Sequence, residues 1–128
     1  MNLLLDTHTL LWILTDDKRL SKTARQLFLS ENNDIYLSVA SIWEMAIKVS
    51  IGRLNLSEPL QEFTHNHVKG NDIKILAVEA EDTYPIETLP FHHKDPFDRL
   101  IIAQSMIRNY PILSADAEFD PYPIKRIW

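Results

Sequence analysis

The sequence predicts an α/β domain whose mostly parallel sheet is covered by helices on both faces. Short apolar runs alternate with longer amphipathic stretches, the order expected when strand and helix alternate along a chain. The run Leu3-Leu4-Leu5 reads as a short buried strand, as parallel sheets under two helical layers require. A length of 128 residues, with 45% hydrophobic and 24% charged residues, describes a single globular domain spanning 1–128.

Asn2 to Leu5 supplies the first strand, and Thr7 to Thr15 a helix with Leu10, Leu11, Ile13 and Leu14 around most of its circumference. Ser21 is placed to cap a helix carrying Ala24, Leu27 and Phe28 at i, i+3, i+4 spacing. Ile35 to Leu37 is a second strand. The helix from about Ser38 to Ile51 sets Val39, Ile42, Trp43, Ala46 and Ile47 in one stripe, expected to be its buried face, and Gly52 stops it. Ser57-Glu58-Pro59 opens a helix to about Val68. Ile73 to Leu76 is a third strand, followed by a short helix near Glu79 to Tyr84 and a loop from Pro85 to Lys94. Asp95-Pro96-Phe97-Asp98 starts a helix lasting to about Asn109, and Ile112 to Ser114 and Ile124 to Trp128 supply the last strands.

Composition narrows the chemistry. With no Cys, disulfide frameworks and thiolate metal sites are excluded, and a reducing cytosol fits. The longest apolar run, Leu10 to Leu14, is far too short to span a bilayer, and the N-terminus lacks a signal peptide's basic segment, so a cytoplasmic protein is expected. A formal net charge of −5 argues against broad coating of nucleic acid. Two glycines, Gly52 and Gly70, leave no Gly-rich phosphate loop.

Four acids stand where solvent decoration is a poor explanation. Asp6 closes the first strand, Glu44 borders the apolar stripe, Asp98 lies in a helix's first turn among apolar neighbours, and Asp116 follows Ile112-Leu113. In open α/β sheets ligands bind beyond the carboxyl ends of the strands. Two carboxylates about 4 Å apart repel by roughly 4 kcal/mol at an effective dielectric near 20. Several would converge only around a cation or a shared proton, and an all-oxygen set suits a hard ion such as Mg²⁺ or Mn²⁺.

Each acid has a plainer role open to it. Asp6 can cap the following helix, and Glu44 can pair with Lys48 at i, i+4. Asp95 at N-cap and Pro96 at N1 make a good helix start, which explains Asp95 better than Asp98. Asp116 can be a turn residue, while Asp16-Asp17 and Glu79-Glu81-Asp82 read as solvated faces. His65 and His67 diverge on a helix and His92-His93 are adjacent in a loop, so neither pair has zinc-ligand spacing; His93 is left as a possible substrate contact. Trp12, Trp43 and Trp128 read as core or interface anchors.

Nearly end to end, the chain resembles the PIN-domain ribonucleases, specifically VapC-type toxins of bacterial toxin–antitoxin pairs. The resemblance is carried by Leu3-Leu4-Leu5-Asp6-Thr7-His8, by Ser38 to Lys48, by His92-His93-Lys94-Asp95-Pro96-Phe97-Asp98-Arg99-Leu100-Ile101-Ile102-Ala103-Gln104, and by Leu113-Ser114-Ala115-Asp116 and the closing Ile127-Trp128. Ser114 replaces the Thr common in the family's last acid motif and keeps the hydroxyl. The resemblance implies a three-layer α/β/α fold and a Mg²⁺- or Mn²⁺-dependent endoribonuclease neutralised by a VapB-like antitoxin, with homodimerisation. It also implies an acidic cluster of Asp6, Glu44, Asp98 and Asp116, with Asp6 and Asp98 the first choices as metal ligands. Ser114 would orient a ligand carboxylate, Lys48 and Arg99 would meet phosphate or form salt bridges, and Asp95 would cap.

Two rivals belong to other classes. A phospho-acceptor receiver needs an acidic pair after the first strand and an acceptor Asp after the third, where this chain has Ala77-Val78. A catalytically inactive PIN-like module that only binds a partner would keep the fold without metal-dependent RNA cleavage.

Overall fold

The computed structural model describes residues 1–128. Strands β1 (Asn2–Leu5), β2 (Asp34–Ser38), β3 (Lys74–Leu76), β4 (Ile112–Leu113) and β5 (Arg126–Ile127) form one sheet in the order β3-β2-β1-β4-β5, with every pair parallel. Six helices connect them: α1 (Thr7–Thr15), α2 (Lys22–Leu29), α3 (Val39–Ser50), α4 (Leu60–Phe63), α5 (Ala80–Thr83) and α6 (Pro96–Arg108). The α/β class with a central parallel sheet is therefore as predicted. No helix is long and apolar enough to cross a membrane.

Strand alternation builds two cores. Leu3 and Leu5 of β1, with Ile35 and Leu37 of β2, face Leu10 of α1, Met45 of α3, Phe63 and Val68. Leu4 points to the opposite face and joins Ile101 and Ile102 of α6, Phe119 and Tyr122. All three leucines of β1 are fully buried, which is why this strand shows no polar alternation. Helices over both faces give the three-layer architecture.

Local chemistry sets most boundaries. Ser21 Oγ accepts from the Ala24 amide at 3.0 Å and starts α2. Gly52, at φ 74°, ends α3 in the left-handed region. The helix expected up to Val68 is a short α4 continued by a π turn over Thr64–Val68 and a 3₁₀ turn over Lys69–Asn71. The expected loop after α5 opens with a 3₁₀ turn over Tyr84–Thr88.

Two expectations are corrected. Of the expected stripe of α3, Val39, Trp43 and Ile47 face outward, with Trp43 58% exposed, and Ile42 packs half-buried against the core, while Ala40, Ser41, Glu44 and Met45 are buried. The helix follows β2 without a linker, so the strand's end fixes which side meets the sheet, and Ser41 and Glu44 fall inside, where Thr7 satisfies them. Asp82 is not on a solvated face. Its carboxylate is 1% exposed and held by Arg108 Nη1 at 2.7 Å, by Gln104 Nε2 at 3.2 Å and by the Glu79 amide at 2.9 Å. Burial alone would raise the Asp82 carboxyl, but these hydrogen bonds outweigh it and hold the group below the usual carboxylate range.

Candidate active site

The strand order reverses at β1, whose neighbours β2 and β4 lie on opposite sides, and beyond the carboxyl end of β1 the acids gather. Asp6 leaves β1 directly and is 5% exposed. Its Oδ2 accepts from Ser114 Oγ at 2.7 Å, rather than the side chain closing on the amides of α1. Ser114 Oγ also accepts from the Asp116 amide at 3.0 Å, tying the residues after β1 and β4 together. Burial pushes the Asp6 carboxyl up, against the pull of the Ser114 hydrogen bond.

Glu44 enters from the inner side of α3, also 5% exposed. Thr7 Oγ1 lies 2.8 Å from both Glu44 Oε1 and Ser41 Oγ. A carboxylate can only accept, so the single Thr7 proton goes to Glu44 and Ser41 donates to Thr7. Lys48 Nζ sits 2.8 Å from Glu44 Oε2 and remains about one-third exposed, so the i, i+4 pair forms with its carboxylate buried.

Asp98 sits in the first turn of α6, whose N-cap is Asp95. Asp95 Oδ1 accepts from the Phe97 and Asp98 amides at 2.8 and 3.1 Å, which accounts for its carboxylate as a cap. Asp98 is largely buried, and its carboxyl is pushed up to about 8 by that burial and by the negative charges of Asp6, Asp95, Glu44 and Asp116. Neither Asp6 Oδ1 nor Asp98 Oδ1 receives a side-chain hydrogen bond. These oxygens are the most available for a cation.

His93 was the residue the sequence undervalued. It is 4% exposed, with Nε2 2.9 Å from Asp116 Oδ2 and 3.1 Å from Asp98 Oδ2. His93, Asp98 and Asp116 bring one donor atom each within 4.8 Å of one another. Pairwise zinc spacing could not find it. The signal available was its place two residues before the N-cap of a helix whose first turn carries an acid.

Arg99 is corrected as a phosphate contact. Its guanidinium is buried and donates to the carbonyls of Leu89 at 2.9 Å, Pro90 at 2.9 Å and His93 at 3.2 Å, with the Phe91 ring 4.0 Å away. It straps the loop that presents His93. Asp116 Oδ1 accepts from the Glu118 amide at 2.9 Å, so its carboxylate both starts a 3₁₀ turn and meets His93.

Above Asp6 and Asp116 lies a shallow pocket of about 350 Å³, lined also by His8, Trp12, Arg19 and Ala115. It shares His8, Trp12 and Arg19 with a groove of about 640 Å³ that runs past Lys48, Arg53 and Phe63. Chemically, the arrangement can hold a hard cation against one pocket wall and bring a charged, extended ligand to it along the groove.

The PIN domain family profile matches residues 3–125. No curated protein matches the chain by sequence. Among solved structures, VapBC2 from Rickettsia felis bound to a DNA fragment from their promoter is similar with a TM-score of 0.72 at 16% identity, covering 99% of this chain and 98% of that one. DNA-bound VapBC from Salmonella typhimurium gives 0.68 at 17%, covering 99% and 97%. FitAcB from Neisseria gonorrhoeae gives 0.66 at 14%, covering 98% and 96%.

Proposed function

The chain belongs to the PIN-domain family, and from that premise we propose that it is a divalent-metal-dependent endoribonuclease acting in the cytoplasm as the toxin of a toxin–antitoxin pair. The observation that carries this is the convergence of four acids beyond β1, with the Asp98 carboxyl pushed up to about 8 by burial and its neighbours' charge. A divalent cation would take the place of that carboxyl's proton and offset the charge of the cluster. The donor set fits Mg²⁺ or Mn²⁺, since Asp6 and Asp98 each offer an oxygen free of side-chain donors, and Asp116 and Glu44 complete an acidic wall.

When bound, such an ion lowers the pKa of a coordinated water and offsets charge on the phosphate. The protein's part is positioning. Ser114 turns Asp6 by its 2.7 Å hydrogen bond, and Thr7 and Lys48 hold the two oxygens of Glu44. RNA as substrate is supported by the groove, where Arg53 supplies local positive charge beside Arg19 and Lys48, whose charges are paired with Asp17 and Glu44, in a chain of net charge −5. An antitoxin partner is supported by the VapBC and FitAcB neighbours, and an interface with that partner or a second copy by the outward apolar row Val39, Trp43 and Ile47.

The test is cleavage by the purified chain, free of any partner, of single-stranded and structured RNA with Mn²⁺. Cleavage should disappear with chelator and fall by about 100-fold or more in Asp98→Asn. Equal cutting by the variant, or indifference to chelator, would overturn the mechanism. A chain that binds a partner and cuts nothing would be the inactive module.

A further inference from the structure

We propose that His93 is a positioning residue, a fixed N–H donor to Asp116 that stands beside Asp98 and is not itself a metal ligand; this rests on the function proposed above. The imidazole lies among carboxylates at ligand-like spacing, so its donor set could be read as mixed nitrogen and oxygen. Both edges of the ring argue otherwise. Nδ1 faces the Asp95 amide, which donates to it at 3.3 Å, so Nδ1 must present its lone pair. Nε2 then carries the hydrogen in the neutral ring and donates it to Asp116 Oδ2 at 2.9 Å, with Asp98 Oδ2 3.1 Å away.

Ligation through Nε2 would move the hydrogen to Nδ1, where it would oppose the Asp95 N–H across a partly buried contact. The ring cannot swing away from that conflict. The His93 amide donates to Tyr122 Oη at 2.7 Å, its carbonyl accepts from Arg99, and Phe119 packs beside it at 5.2 Å between ring centres. Asp95 therefore does more than cap α6. Its side chain starts the helix that carries Asp98, while its amide fixes the tautomer of the histidine that holds Asp116.

The consequence is a choice of oxygens. His93 occupies Oδ2 of Asp116 and the Glu118 amide occupies its Oδ1, so the Asp116 carboxylate is held at both oxygens, while Asp98 Oδ1 has no side-chain donor and would be open to a cation. Removing the donor should free the Asp116 carboxylate to rotate beside Asp98 and weaken the cation without removing any ligand.

Mn²⁺ alone provides the probe. Its affinity should fall about 10- to 100-fold in His93→Ala, the range for loss of a group that orients a ligand. His93→Gln, whose amide N–H can reach the Nε2 position, should restore it to near the parent value. Electron spin-echo spectroscopy of Mn²⁺ bound to the unaltered chain should show no directly bonded imidazole nitrogen, a readout that needs no variant to fold. A bonded nitrogen that survives His8→Gln and vanishes in His93→Gln would overturn the inference while leaving the nuclease intact. Parent-like Mn²⁺ affinity in His93→Ala would overturn it too, and failure of the parent to bind Mn²⁺ would overturn both proposals.

Discussion

Asp98 shows how one carboxyl couples the site to stability. Folded, it keeps its proton up to about pH 8, whereas in the unfolded chain it loses it near pH 4. Between those values the native state binds more protons than the unfolded one, so metal-free stability falls as pH rises and the penalty is complete above about 8. Urea unfolding in chelator at pH 5.5 and 8 should show this loss, on the order of several kcal/mol at full ionisation, and Asp98→Asn should flatten it. Identical pH slopes in parent and variant would dismiss the charge cluster as its source. The acid was visible in sequence as a sheltered carboxylate lacking a partner. Its partner, His93, was not, because the contact between them depends on a loop strapped by Arg99 and Tyr122, residues whose side chains bond to backbone atoms that no side-chain pattern reveals.

At the scale of elements, caps and stops wrote the boundaries clearly: Ser21, Gly52 and Asp95 each act where the sequence placed them. The face of α3 was the failure. Periodicity identifies an apolar stripe but not the side that meets the sheet, and here the phase is set by the direct passage from β2 through Ser38 into the helix. The inner side carries Ser41 and Glu44, and Thr7 satisfies both. Substitution on the two faces should separate accordingly. Met45→Ala, in the core between α3 and the sheet, should cost about 2–5 kcal/mol, and Trp43→Ala, which loses an edge contact with Phe97 at 4.9 Å, about 1 kcal/mol. Comparable losses in chemical denaturation would contradict the outward placement of Trp43.

Across the whole molecule, fold and site join at the reversal of strand order, where Asp6 and Asp116 follow adjacent strands β1 and β4. A cation bound only by the folded cluster should stabilise the chain by roughly 2.7 kcal/mol at 100 times its dissociation constant. Thermal unfolding with and without Mn²⁺ should show the gain in the parent and its loss in Asp6→Asn; an equal gain in both would place the ion elsewhere. The sequence by itself determined the class of fold, the order of its elements and the candidacy of the four acids, since burial pattern, caps and an acid's place within its own strand end or helix are all local features. Tertiary structure alone decided which face of α3 is inside, that Arg99 is a buried strap, and that His93 stands between Asp98 and Asp116. Those outcomes depend on contacts between segments far apart in the chain, and hydrophobic periodicity carries no information about what a side chain will meet across such a distance.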